Sequence, residues 1–166
     1  LRRRFPHADL ECANLALGGF ASQLLVRTAE YDLYPFYPDL LIFHVYGHHV
    51  RYEDIIRATR QRTTAEVLIQ TDHVTSDVED NWTKQMNYTF LPSYAKKYNC
   101  QLGRIRESWK EYLKDNNLKP AQLLRDGVHL NPHGEYVMAE LVGQELVYRP
   151  EQALGAPQRA ADGWKD

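Results

Sequence analysis

Cysteine, net charge and long apolar runs are what this 166-residue sequence has least of, and each scarcity narrows what the chain can be. Two cysteines, Cys12 and Cys100, cannot build a disulfide framework, and neither lies in a CxxC or other metal-binding spacing. A formal charge of -2 with a pI near 6.4 supplies no global attraction to phosphate backbones or anionic lipid, so no nucleic-acid partner is expected. The one run of a single charge sign, Arg2-Arg3-Arg4, reads as a solvated helix end rather than a phosphate patch. No apolar stretch approaches the roughly 20 residues of a membrane-spanning helix, and no membrane role is expected.

What is present is an ordinary globular composition, 43% hydrophobic and 25% charged, long enough for one sizeable core and too short for two ordinary domains. One domain is expected over residues 1–149, followed by an Ala-, Gly-, Pro- and charge-rich tail over 150–166. Residues 1–6 resemble the last turn of a helix, with cations where the dipole is negative and then a proline, so the reading expects the fold to open upstream of Leu1. Beyond that point apolar and amphipathic segments alternate. The patterns predict strands over 9–17, 39–46, 65–71 and 99–105, and helices over 21–32, 51–62, 79–98, 106–115 and 132–147. Pro35 and Pro38 mark a loop. The near-continuous apolar run DLLIFHVY at 39–46 suits a central strand covered on both faces.

Strands alternating with helices of this length predict an α/β fold with a parallel sheet between helical layers, which puts chemistry in the loops at the carboxyl ends of the strands. The corresponding segments are Leu17-Gly18-Gly19-Phe20-Ala21-Ser22, Tyr46-Gly47-His48-His49, Thr71-Asp72-His73 and Asp126-Gly127-Val128-His129, and four of the seven histidines fall in them. In the last, Asn131 is a credible N-cap and Pro132 a credible first helical residue, so a tight turn presents Asp126 and His129 together. A carboxylate accepting from one imidazole nitrogen fixes the tautomer and leaves the other nitrogen as a base able to activate a hydroxyl. Plain capping and hydrogen bonding would also account for such a turn.

These blocks, taken in order, resemble the SGNH, or GDSL-like, hydrolases. Asp126 and His129 match that family's closing Asp-x-x-His, which supplies the acid and base of its triad. Asn14-Leu-Ala-Leu-Gly-Gly19 has the spacing of its second block, making Gly19 the implied oxyanion donor. Gly47-His48-His49 stands where the family has Gly-x-Asn, with His49 in the asparagine's place. The resemblance covers about residues 9–146 and implies a flavodoxin-like three-layer α/β/α fold and serine-type ester hydrolysis, with acylated carbohydrate favoured as substrate and no cofactor. The family's first block, Gly-Asp-Ser, is not in the chain. The resemblance therefore implies a sheet lacking its first strand here, with strand and nucleophilic serine supplied by a separate segment or chain.

Other residues carry secondary readings. Ser22 could replace the missing nucleophile, although a helix N-terminal role suffices to explain it. His48, Asp72, His73 and Trp82 are expected to line the substrate side, with Tyr46 and Tyr88 as further wall residues and His44 as a satisfied core histidine. A zinc site from His48, His49, His73, Asp72, Asp126 and His129 is a weaker alternative, since adjacent histidines point apart and no HExxH spacing occurs. A competing function is a non-catalytic carbohydrate-binding module on the same fold.

Overall fold

The computed structural model describes residues 1, 2 and 5–147; Arg3, Arg4 and the expected tail lie outside the described residues. Three strands, β1 (Leu40–Phe43), β2 (Glu66–Gln70) and β3 (Gln101–Gly103), form one parallel sheet in the order β1-β2-β3. Leu41 pairs with Val67, and Leu68 with both Ile42 and Gln101. The helices are α1 (Ser22–Thr28), α2 (Leu33–Phe36), α3 (His49–Arg62), α4 (Asn81–Gln85), α5 (Leu91–Lys97), α6 (Ile105–Asp115) and α7 (Pro132–Glu145). The chain is thus α/β with a parallel sheet, as the alternation predicts. No helix among the described residues is long and apolar enough to cross a membrane.

β2 is the central strand. Its Val67, Leu68 and Ile69 are 2%, 1% and 0% exposed, because alternating side chains enter cores on both faces. Val67 and Ile69 join Tyr52, Ile55 and Ile56 of α3 and Leu91, Tyr94 and Ala95 of α5 in one cluster. A second cluster gathers Val74, Trp109, Leu113, Leu123 and Val137 around α6 and α7. Trp109 is fully buried, so its truncation to alanine is worth about 3–5 kcal/mol.

Five expectations are corrected. The strand at 39–46 shortens to four residues and sits at the edge of the described sheet, paired to β2 alone, with Leu40 and Ile42 39% and 38% exposed. Residues 9–17 form no strand, because local bonds compete: Asn14 accepts from the Ala16 N–H, and Phe20 donates to Leu17. The helix expected over 21–32 divides into α1 and α2, and Pro35 stands in the first turn of α2, where a missing N–H is tolerated; the Leu33 and Tyr34 N–H groups ahead of it both reach back to Ala29 O. The helix at 79–98 is interrupted by a π-helical turn, Met86–Phe90, just ahead of Pro92, which has no N–H to give to the preceding turn. The strand at 99–105 persists only as β3.

Candidate active site

The turn before α7 is built by backbone pairing on both sides. Leu124 and Leu130 form an antiparallel bridge, and Arg125 N–H donates to His129 O at 2.9 Å. Asn131 caps α7 by accepting from Gly134 N–H at 2.9 Å and donates to Gln122 O at 2.8 Å. Within this frame Asp126 Oδ1 accepts from the N–H groups of Val128 and His129 at 2.9 and 2.7 Å. The imidazole Nδ1 of His129 lies 2.9 Å from Asp126 Oδ2. Those donors, the His129 and Val128 amides first, hold the Asp126 carboxyl down to about 2, so it is ionised at neutral pH and Nδ1 carries the hydrogen. The side chain of His129 is 64% exposed, and no hydrogen bond engages its Nε2 among the described residues.

The loop is fastened to the sheet by His73, which follows β2. Its Nε2 donates to Val128 O at 2.9 Å, and the residue is 6% exposed. Burial lowers its pKa and keeps the ring neutral. Asp72 is equally buried: its carboxylate lies 2.6 Å from His44 Nε2 and accepts from Asn87, which in turn accepts from the Asp72 N–H at 2.7 Å. His44 thus has a buried partner, but it lies beyond the end of β1 and is half-buried rather than a core residue of the strand. Arg106, 3% exposed, donates to His73 O at 2.6 Å and to Glu79 at 2.9 Å. Glu79 also pairs with Lys110, and these donors hold its carboxyl at about 2 despite partial burial. No sequence pattern announces Asn87, Arg106 or Glu79, since their partners lie far along the chain.

At the end of β1, the Tyr46 ring lies 5.4 Å from His44 and 5.7 Å from Trp82. Trp82 Nε1–H donates to Gly47 O. Gly47 has φ 122°, and a Cβ there would collide with Ser22 and Gln23, so glycine is required on two counts. Ser22 is fully buried, and its hydroxyl lies within donating distance of His48 O at 2.9 Å and Gln23 Oε1 at 3.2 Å, which ties α1 to this loop and supplies a structural role for the residue. His49 is the first residue of α3; its ring stacks on Phe90 at 3.8 Å and its Nδ1 lies 2.9 Å from the Tyr94 hydroxyl. Desolvation, with Glu53 nearby, pushes the Tyr94 phenol up to about 12, so it keeps its hydrogen. Gly19, at φ 77°, stands in an open turn where its N–H meets no acceptor among the described residues.

Contacts therefore run from the His129 loop through His73, Asp72, His44 and Tyr46 to Trp82, Gly47 and Ser22. No hydrogen bond or ring contact joins His129 directly to Gly19 or His49 among the described residues. A cavity of about 340 Å³ is lined by Gln23, Gly47, His48, His49, Trp82 and Phe90, among others. A larger one, about 650 Å³, lies between residues 74–79 and α6 and includes none of the expected site residues. Among the described residues no group of three or more His, Cys, Asp or Glu is arranged to hold a metal ion.

The sequence matches no protein-family model and no curated protein. The fold is shared with solved structures. One is the acetylxylan esterase Axe2 from Geobacillus stearothermophilus, with TM-score 0.77, 17% identity, and coverage of 89% of this chain and 77% of that one. Another is LAE5, an alpha/beta hydrolase enzyme from the metagenome of Lake Arreo, Spain, with TM-score 0.73, 19% identity, and coverage of 87% and 76%. Structures of Axe2 include catalytic mutants at a serine near the start of its chain, at an aspartate, and at a histidine three positions beyond that aspartate.

Proposed function

We propose that this chain supplies the base and the orienting acid of a serine-type ester hydrolase acting on acylated carbohydrate, the serine coming from outside residues 1–166. The observation that carries the reading is the His129–Asp126 pair, with Nδ1 held by an ionised carboxylate and Nε2 left open. Support for an added segment comes from β1, whose outer edge has no partner among the described residues and whose Leu40 and Ile42 are over a third exposed. The fold neighbour's catalytic serine, aspartate and histidine, the last two at the same spacing as here, fit the same division of labour.

His129 Nε2 takes the proton of the serine hydroxyl as its oxygen attacks the acyl carbonyl. The oxyanion is met by the nucleophile's own N–H, by the Gly19 N–H and by His49. A Tyr94 hydroxyl that donates to Nδ1 of His49 leaves the ring hydrogen on Nε2, where it serves as the third donor. Protonated His129 then gives its proton to the sugar oxygen as its bond to the acyl carbon breaks, releasing the sugar hydroxyl, and the same base activates the water that resolves the acyl-serine. Trp82, 37% exposed beside Gly47, offers a ring face for the sugar.

The test is hydrolysis of p-nitrophenyl acetate and of acetylated xylo-oligosaccharides by the natural full-length protein and its His129→Ala and Asp126→Asn variants. Losses of about 10³- to 10⁴-fold in kcat are expected. Equal rates would remove His129 from the chemistry, and saturable oligosaccharide binding without turnover would favour a carbohydrate-binding module.

A further inference from the structure

His129 is largely exposed, so something other than burial must fix where its ring points. The peptide group joining Val128 to His129 is gripped at both ends. Its N–H donates to Asp126 Oδ1 at 2.7 Å, and its carbonyl accepts from His73 Nε2 at 2.9 Å. A peptide unit is planar, so two hydrogen bonds at opposite ends set its orientation and with it the direction of the N–Cα bond that carries the His129 side chain. On the other side of His129, its carbonyl is held by the Arg125 N–H.

His73 is itself immobilised. Its carbonyl takes the buried Arg106 guanidinium at 2.6 Å, its ring lies 5.5 Å from fully buried Trp109, and its neighbour Asp72 is pinned to His44 and Asn87. A carbonyl can only accept, so the His73 hydrogen must be on Nε2; its Nδ1 is buried without a partner. This histidine therefore works as a neutral, single-tautomer donor.

We infer that His73 is a positioning residue: by holding the Val128 carbonyl from the end of β2, it orients the peptide plane that carries His129 and so aims the base. Its kinetic consequence rests on the hydrolase reading above, but its structural claim does not.

The experiment uses the full isotopically labelled chain. Long-range ¹H–¹⁵N correlations should give a His73 ring protonated on Nε2 and bare on Nδ1; protonation on Nδ1 overturns the proposal without any variant. Amide exchange is then compared in His73→Phe and His73→Gln, with Leu68 and Ile69 of β2 as fold controls. In His73→Phe the His129 amide should exchange roughly tenfold faster or more. In His73→Gln, whose side-chain amide can still donate to Val128 O, it should stay within about threefold. Unchanged exchange in His73→Phe with β2 intact refutes the clamp; if that variant does not fold, the tautomer decides. With the natural enzyme, His73→Phe should lower kcat roughly 10- to 100-fold with little change in KM, and His73→Gln should restore most of it. Absence of any esterase activity would fail the functional reading while the exchange and tautomer results still decide the clamp.

Discussion

Two glycines of one helix should respond to alanine with opposite signs. Gly134, in the first turn of α7, is buried against the 3₁₀ turn Pro120–Leu123; a Cβ there would collide with Leu123 O and crowd a Leu130 methyl at 3.2 Å. The obstacle is backbone, and Leu123 O is already engaged by the Asn131 N–H at 3.0 Å, so relief requires the helix start to move. Overpacking of this kind costs about 1–3 kcal/mol, and loosening the Asn131 cap about 1 more. The helix-propensity gain of alanine over glycine, about 0.5–1 kcal/mol, offsets part of this. Net destabilisation of about 1–3 kcal/mol follows, a drop in Tm of roughly 3–10 °C for a domain of this size. Gly143, near the other end of the helix, has no atom of another described residue within 4 Å of the same ideal Cβ, and on those surroundings Gly143→Ala should gain a few tenths to about 1 kcal/mol. Calorimetry and urea unfolding of both variants make the comparison. A neutral or stabilising Gly134→Ala would refute the close approach of α7 to the 3₁₀ turn, and with it the anchor of the His129 loop.

Further predictions concern the same loop. Asn131→Ala removes the cap on Gly134 and the donor to Gln122 O, and should cost about 1–2 kcal/mol in urea unfolding. Asn131→Asp keeps the acceptor and loses only the donor, so it should fall between wild type and alanine. Stability should decline toward acid in two stages. Burial lowers the His73 pKa from 6.5, so the stability tied to its neutral form is present above 6.5 and is lost as pH falls below that value; Arg106 and His44 oppose its protonation and Asp72 favours it. Asp126 is lowered from 3.8 to about 2, so the ordering of the His129 turn is present above 3.8 and is lost as pH falls through about 2. His73→Gln should remove the first stage from a stability–pH profile and leave the second. A profile unchanged by that substitution would contradict the neutral buried state of the ring.

The alternation of strands and helices was legible because periodicity reports which faces are buried. α3, α6 and α7 lie within two residues of their expected starts, helped at α7 by Asn131 and Pro132, which act locally. The Asp126–His129 contact was legible for the same reason: it closes within four residues, through bonds that a single turn provides. Where the pattern misled, the missing information was a neighbour. The apolar runs at 9–17 and 39–46 look alike as strings, but among the described residues only the second has a partner strand, and on one side alone; a strand exists only where another backbone accepts its hydrogen bonds.

The sequence by itself determined the alternation of strand and helix segments, through the periodicity of buried side chains, and the capped turn before α7 with its Asp126–His129 contact, through bonds between residues close along the chain. Tertiary structure alone decided that Asp72 and His73 are buried supports rather than open pocket groups, that His49 stacks on Phe90, and that Ser22 is committed to His48. Those outcomes depend on which distant side chain occupies the neighbouring space, and a linear pattern holds no record of that.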